Sequence, residues 1–152
     1  MVDQCNRTVD YLRLSITDLC NYRCRYCMPE EGVCKRPRTD ILSLEELAEI
    51  AGAAVACGIR KIRITGGEPL VRPGISTLCR RLREIPELKE LCLTTNGSLL
   101  PELAGPLREA GVDRLNISLD TLKPERFREI TRRGALELSL IHISEPTRLG
   151  MI

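Results

Sequence analysis

Residues 18–28 read Asp18-Leu-Cys-Asn-Tyr-Arg-Cys-Arg-Tyr-Cys-Met28, and they hold three of the eight cysteines of the chain. Cys20, Cys24 and Cys27 have the spacing C-x3-C-x2-C, just after an extended, alternating run. Three thiolates this close can hold three corners of a cubane iron–sulfur cluster, because cysteine ligation suits iron–sulfur chemistry. No fourth cysteine has a matching spacing, so one iron would stay open to a ligand. An open metal position is typical of a reactive site rather than a structural one.

Other interpretations of these cysteines stay open at this point. A structural zinc site would need a fourth ligand, which Cys34 could supply. The electron-transfer ferredoxin pattern differs in its first gap and ends in Cys-Pro, which is missing here. A disulfide framework is disfavoured, because the first ten residues are mostly polar and carry no apolar signal segment. We expect the isolated cysteines to be small buried hydrophobes; they are Cys5, Cys57, Cys79 and Cys92.

Composition limits the classes of protein that the chain can represent. Its 152 residues suffice for one domain with a sizeable core, and 43% hydrophobic with 29% charged residues is ordinary for a soluble globular protein. No apolar run approaches the ~20 residues that span a bilayer. A net charge of +2 and only 3% aromatic residues favour neither a membrane nor a nucleic-acid partner. The composition therefore predicts a cytoplasmic enzyme that acts on small molecules.

The hydrophobic pattern alternates between strands and helices. Strands are predicted at residues 11–17, 60–65, 90–95 and 113–119. Helices are predicted from the capping box at Ser43 to Gly58, over 73–84, up to residue 109 with a kink or late start at Pro106, and from Pro124 to about 134. Four such repeats predict an α/β fold with a parallel sheet, wound either as part of a barrel or as an open doubly wound sheet.

The predicted strands have one apolar and one polar face. Parallel strands that are covered on both sides are normally apolar throughout. The polar face here carries residues of types that can bind a ligand, namely Arg13, Ser15, Thr17, Arg63, Thr65, Cys92, Thr94, Asn116, Ser118 and Asp120. Two arginines inside a curved sheet need a hydrated, anionic occupant, because an unpaired buried charge is costly. The alternative is plain solvent exposure on a half-covered sheet.

Four stretches together resemble a known family. Leu14 to Pro29, with its three cysteines and Met28-Pro29, resembles the radical S-adenosylmethionine (SAM) superfamily. The stretches RKIRITGGEP (60–69), TTNG (94–97) and NISLD (116–120) narrow the resemblance to the GTP 3',8-cyclases of molybdenum cofactor biosynthesis. It covers residues 9 to 138. The resemblance implies a partial (βα) radical SAM barrel, about four βα units of an incomplete TIM-like barrel.

The resemblance also implies roles for nine residues. The ligands of a 4Fe–4S cluster would be Cys20, Cys24 and Cys27. The open iron would chelate SAM, whose other contacts would be Tyr26, Gly67 and Ser118. The residues that match the family's GTP contacts are Arg13, Arg63 and Thr94. We expect Tyr26 and Gly67 to act through their backbone, on the adenine and on the methionine amino group respectively.

The chemistry and partners implied are those of the same family. Reductive cleavage of SAM would give a 5'-deoxyadenosyl radical, which removes the C3' hydrogen of GTP so that C3' bonds to C8 of guanine. An electron donor such as flavodoxin or ferredoxin would be needed, and a homodimer is a further expectation. Two other functions stay open: another radical SAM enzyme, for instance a peptide-modifying one, and a non-catalytic metal-binding module that uses Cys34.

The end of the chain departs from the family pattern. We predict a truncated radical SAM core over residues 1–138 and a non-native tail over 139–152, in which no amphipathic helix is expected. The family's later βα units and its second three-cysteine cluster are absent from the sequence. We therefore expect a marginally stable, aggregation-prone half-barrel that cleaves SAM weakly and does not cyclise GTP by itself.

Overall fold

A computed structural model describes residues 4, 6–34 and 36–144. Its sheet has four parallel strands in the order β1-β2-β3-β4, with β1 at Tyr11–Ser15, β2 at Lys61–Thr65, β3 at Glu90–Thr95 and β4 at Arg114–Ile117. Each strand pairs with the one that follows it in the chain, which is the winding of a βα barrel; a doubly wound sheet reverses its strand order. The α/β class and the partial barrel are confirmed.

Three helices connect the strands and a fourth follows β4, all at the predicted places, and a fifth helix ends the described chain. Helix α1 spans Leu44–Ala56, α2 spans Ile75–Arg83, α3 spans Leu100–Glu109, α4 spans Pro124–Thr131 and α5 spans Leu136–Ser144. Short 3-10 turns lie at Arg38–Asp40 and Pro69–Val71. No described helix has both the length and the apolar content that are needed to cross a membrane.

Local sequence explains where α1 begins. The Ser43 hydroxyl accepts a hydrogen bond from the Glu46 backbone N–H at 3.1 Å, and the Glu46 carboxylate accepts one from the Ser43 N–H at 2.7 Å. This reciprocal pair satisfies two N–H groups that a helix start leaves without partners. The predicted capping box is confirmed. Pro106 lies inside α3, so the helix does not start late at this proline.

The apolar face of the sheet packs against α1, α2 and α3. Strand residues Ile62, Ile64, Leu91 and Leu93 are fully buried there. The helices contribute Leu47, Leu78, Leu82 and Leu107, of which each is at most 1% exposed. The polar face is thus left for other contacts, which confirms the predicted division of the sheet into two faces.

The structure corrects one expectation about the end of the chain. Residues 136–144 form α5, although the sequence shows no amphipathic helix pattern after residue 138. Ser139 is fully buried, and its hydroxyl donates to the Asn96 carbonyl oxygen at 2.9 Å. Apolar and polar residues largely alternate along 136–144 and show no helical period, so amphipathicity was a poor guide here. The division between residues 138 and 139 stays a prediction.

Candidate functional site

A cavity of about 190 Å³ lies where the carboxyl ends of the strands meet the cysteine loop, residues 18–28. The carboxyl ends of parallel strands are the usual place for ligands in βα folds. Its wall is formed by Arg13, Cys20, Tyr22, Cys24, Tyr26, Cys27, Thr65, Gly66, Gly67, Glu68, Thr94, Thr95, Asn96 and Ser118. Eight of the nine residues with implied roles line this cavity, and Arg63 does not.

The cysteine loop presents three free thiols to the cavity. Burial raises the pKa of the Cys20 thiol, and nearby Glu68 and Cys27 add to the rise while the Tyr22 N–H opposes it. Burial likewise raises the pKa of Cys24, next to Cys20 and Asp120. In the metal-free chain these two thiols therefore hold their protons. Metal ions remove such protons on binding, so thiolate formation and metal binding are coupled.

The end of α4 holds the cysteine loop from outside. The backbone N–H groups of Arg23 and Arg25 each donate at 3.0 Å, to the carbonyl oxygens of Thr131 and Ile130 respectively. The Arg132 guanidinium donates to the Arg23 carbonyl oxygen at 2.9 Å. These bonds fix the middle of the loop, between the first two cysteines and just beyond them.

Tyr22 adds apolar packing to the same junction. Its ring meets Phe127 of α4 edge to face, with the centroids 6.1 Å apart and the planes at 84°, a favoured aromatic geometry. Tyr22 also lines the cavity, where its hydroxyl is buried with no hydrogen-bond partner among the described residues. The loop is thus anchored before any ligand binds.

The turn Gly66-Gly67 follows β2 and packs against the start of the cysteine loop. Gly67 N–H donates to the Thr17 carbonyl oxygen at 2.7 Å, and Glu68 N–H donates to that of Leu19 at 2.8 Å. A Cβ at Gly66 would lie 2.3 Å from the Thr17 oxygen, and Gly66 has φ +146. The glycines are therefore required by the close approach of the chain to itself.

Glu68 is a site residue that sequence reasoning missed. It is 1% exposed, and its carboxylate accepts hydrogen bonds from the N–H groups of Leu70 (3.0 Å) and Asn96 (2.7 Å) and from the Thr95 hydroxyl (2.8 Å). Burial raises the pKa of Glu68, while the three donors oppose the rise. The available signal was a lone acidic residue between two glycines and a proline, just after the second strand.

The segment just after β4 contributes Ser118 to the cavity wall. Ser118 N–H donates to the Thr95 carbonyl oxygen at 2.8 Å. The Tyr26 hydroxyl donates to Asp120 at 3.0 Å, although the Tyr26 side chain is largely exposed. Burial and this carboxylate raise the pKa of Tyr26. The bond ties the cysteine loop to the segment that follows the fourth strand.

The two arginines with implied GTP contacts differ in position. Arg13 lines the cavity with Thr94. Arg63 pairs with Arg13 in the strand register, and its guanidinium lies 5.8 Å from the centre of the Tyr11 ring. Its Nε is buried with no hydrogen-bond partner among the described residues. A buried donor without a partner indicates that a ligand supplies an acceptor on this face of the sheet.

The remaining cysteines agree only partly with expectation. Cys79 and Cys92 are buried as predicted, but Cys57 is exposed because it is the C-cap residue of α1. Cys5 lies outside the described residues. Cys34, the fourth ligand of the zinc alternative, is exposed and is not part of the cavity wall.

The donor set fits an iron–sulfur cluster. Within the described residues no three His, Cys, Asp or Glu side chains are grouped as ligands of one metal ion. A cubane cluster binds each thiolate through a different iron, so its cysteines stand farther apart than those that share one ion. Three free thiols around one cavity, with polar side chains facing them, match this arrangement.

The chain matches several curated proteins that share one name. The chain is similar to proteins named GTP 3',8-cyclase from Pseudomonas entomophila (61% identity over 150 residues), Geobacter sulfurreducens (57% over 150) and Alkaliphilus oremlandii (52% over 151). Each alignment covers 99% of this chain and between 45% and 47% of the relative. The chain thus spans about half the length of the curated relatives it matches.

Two solved structures share the fold of this chain. Streptococcus suis SuiB bound to its precursor peptide SuiA aligns with a TM-score of 0.64 at 20% identity, over 80% of this chain and 26% of that one. BtrN in complex with AdoMet and 2-DOIA aligns with a TM-score of 0.58 at 20% identity, over 88% and 55%. The pattern of the radical SAM superfamily matches residues 14–143. With its three-cysteine cavity at the ends of parallel strands, the chain belongs to the radical SAM superfamily.

Proposed function

We propose that this chain provides the cluster- and SAM-binding part of a GTP 3',8-cyclase of molybdenum cofactor biosynthesis. The observation that carries the proposal is the meeting of three cysteines with Arg13 and Thr94 in one cavity. The relatives that share 52% to 61% of its residues are named for that activity, which selects GTP from among possible substrates.

The cluster would be held by Cys20, Cys24 and Cys27, and SAM would lie between the cluster and the strand ends. When bound, the cluster and SAM supply reductive C–S bond cleavage, which starts radical chemistry. The Gly67 N–H already donates to Thr17. The methionine amino group of SAM is a donor, so the backbone group of Gly67 that would bind it is the carbonyl oxygen. Ser118 and the backbone of Tyr26 would complete the SAM contacts.

Arg13, Arg63 and Thr94 would bind GTP. A guanidinium stays charged and can pair bidentately with phosphate, so Arg13 would fix the substrate's orientation at the cavity. Arg63 would reach the same ligand only after a change of its side-chain position, since it now lies over Tyr11. Closely held reactants and the exclusion of water are what the protein contributes to such chemistry.

The wider setting belongs to the same proposal. We propose an electron donor of the flavodoxin or ferredoxin type, a homodimer, and a cytoplasmic location. Because the chain spans about half of its relatives, we expect weak SAM cleavage and no GTP cyclisation from this chain alone.

The test is anaerobic reconstitution with iron and sulfide, followed by EPR of the reduced protein with and without SAM. A 4Fe–4S signal that shifts on addition of SAM is expected. GTP binding should then weaken at least about tenfold in Arg13→Ala, or about 1.4 kcal/mol. Arg108→Ala is the matched control, because Arg108 is exposed on α3 and does not line the cavity. Zinc uptake without an iron–sulfur signal would refute the proposal in favour of the metal-binding module.

A further inference from the structure

Two asparagines connect the cysteine loop to the end of β3. Asn96 Nδ2 donates to Asn21 Oδ1 at 2.9 Å, and Asn21 Nδ2 donates to the Ser98 hydroxyl at 2.8 Å. These bonds join residues that are 75 and 77 positions apart in the chain. Asn21 directly follows Cys20, so these bonds hold the chain next to the first cysteine.

Asn96 is the centre of a larger network. Its Oδ1 accepts hydrogen bonds from the Ser98 N–H at 2.9 Å and the Ser98 hydroxyl at 2.7 Å. Its own N–H donates to the Glu68 carboxylate at 2.7 Å, and its carbonyl oxygen accepts from Ser139 at 2.9 Å. The Asn96 amide uses both its NH2 group and its oxygen. Its orientation is therefore fixed, because exchanging the two groups by rotation would break these hydrogen bonds.

The network forms a bridge between the two halves of the candidate SAM site. On one side Asn21 adjoins Cys20, and on the other Glu68 adjoins Gly67. The bridge therefore runs from Cys20 through Asn21, Asn96 and Glu68 to Gly67. The backbone bonds from Gly67 and Glu68 hold only residues 17 and 19, before the first cysteine. The asparagine bridge holds the loop just after it.

We propose that Asn21 and Asn96 are positioning residues that set the spacing between the cysteine loop and the Gly66-Gly67 turn, and through it the affinity for SAM. This inference rests on the proposed function, since it assumes that SAM lies between these two elements. A ligand that contacts both elements binds best when their separation is fixed beforehand, because less ordering is needed on binding. The thiols themselves do not depend on the bridge to reach iron, since α4 also anchors the loop.

The test compares Asn21→Ala with Asp113→Asn. The Asp113 carboxylate accepts from the Leu91 N–H at 2.8 Å and from Arg83 at 3.2 Å, and Asp113 is not part of the cavity wall. Asn21→Ala removes side-chain hydrogen bonds and Asp113→Asn removes the charge that pairs with Arg83, each at a half-buried residue. After reconstitution, iron per chain, the melting temperature and the SAM concentration at half of the EPR shift are measured for both.

Asn21→Ala should load iron to the wild-type level while the SAM concentration at half-shift rises at least about tenfold. Asp113→Asn should keep the wild-type SAM response whatever its melting temperature. Asn96→Asp removes the donor to Asn21 and keeps the acceptor for Ser98, so combining it with Asn21→Ala should add little to either single effect.

Three outcomes would overturn the inference. If wild type responds to SAM and Asn21→Ala responds equally, the bridge does not set SAM affinity, while the proposed function stands. If Asn21→Ala loses iron and SAM affinity together, Asn21 supports the cluster and not the spacing. If wild type loads a cluster that SAM does not perturb, the proposed function and this inference both fail.

Discussion

The backbone of Gly67 lies so close to that of Leu19 that a Cβ at residue 67 would stand 2.3 Å from the Leu19 carbonyl oxygen. The Asp18 carbonyl oxygen would be 2.7 Å away from the same Cβ. Backbone atoms cannot yield as the tip of a flexible side chain can. The start of the cysteine loop and the turn after β2 are therefore packed as one unit.

Gly67→Ala should push the cysteine loop away from this turn. Overpacking of this kind costs about 1–3 kcal/mol of the free energy of unfolding. Urea unfolding measures the loss, and iron bound after reconstitution should fall with it. Gly52→Ala is the control, because its Cβ would meet nothing within 4 Å on α1 and should stabilise the chain by about 0.5–1 kcal/mol. Equal stability of the two variants would contradict the close packing.

Glu68→Gln should be strongly destabilising although it conserves shape. The carboxylate faces three donors, and an amide would turn an NH2 group toward at least one of them. Hydrogen bonds to a charged group contribute about 1.5–3 kcal/mol, and a buried donor left without an acceptor adds its desolvation cost. Chemical denaturation should show a loss of that size. Glu49→Gln, at an exposed position on α1, should be neutral, and a neutral Glu68→Gln would refute the role assigned here.

Leu93→Ala should cost about 2–5 kcal/mol, because Leu93 is fully buried between the sheet and its covering helices. Leu122→Ala removes the same atoms from a side chain that is 69% exposed and should change stability by less than about 0.5 kcal/mol. Thermal or urea unfolding of both variants gives the comparison. A small loss at Leu93 would mean that the apolar face of the sheet is not the core.

Sequence patterns predicted the elements whose local and tertiary signals agree. The third strand was predicted with its observed bounds, Glu90–Thr95, and the start of α1 followed from its capping box. The alternation of apolar and polar residues also assigned the two faces of the sheet. In each case the residue pattern reports directly on burial or on a local hydrogen bond.

Contacts between distant parts of the chain could not be predicted in this way. Asn21 and Asn96 are both polar loop residues by sequence, and nothing local indicates that they meet. Cys57 was expected to be buried, but the end of α1 carries it outward. Arg63 shares a strand face with Arg13, yet its guanidinium lies over Tyr11. A long side chain has several rotamers that reach different neighbours, and the sequence does not indicate which one is adopted. Helix α5 was missed because its apolar residues have no helical period.

Burial of Cys79 makes the free energy of unfolding depend on pH in the alkaline range. It is fully buried in α2, and burial raises its pKa from 9.0 to about 12. Between these values the unfolded thiol loses its proton while the folded one keeps it, so the unfolded state binds fewer protons. The free energy of unfolding should therefore fall as pH rises above 9, by about 1.4 kcal/mol per pH unit from this residue. The stabilising effect of the protonated thiol is fully present below pH 9.

Urea unfolding of Cys79→Ala between pH 9 and pH 10.5, under anaerobic reducing conditions, isolates this dependence. The variant starts less stable because it leaves a small cavity, but its stability should decline less steeply with pH than that of wild type. Cys57→Ala should keep the wild-type slope, because that thiol is already exposed. Parallel slopes for wild type and Cys79→Ala would mean that the Cys79 thiol ionises as easily in the folded chain as in the unfolded one. The burial of Cys79 against the sheet would then be wrong.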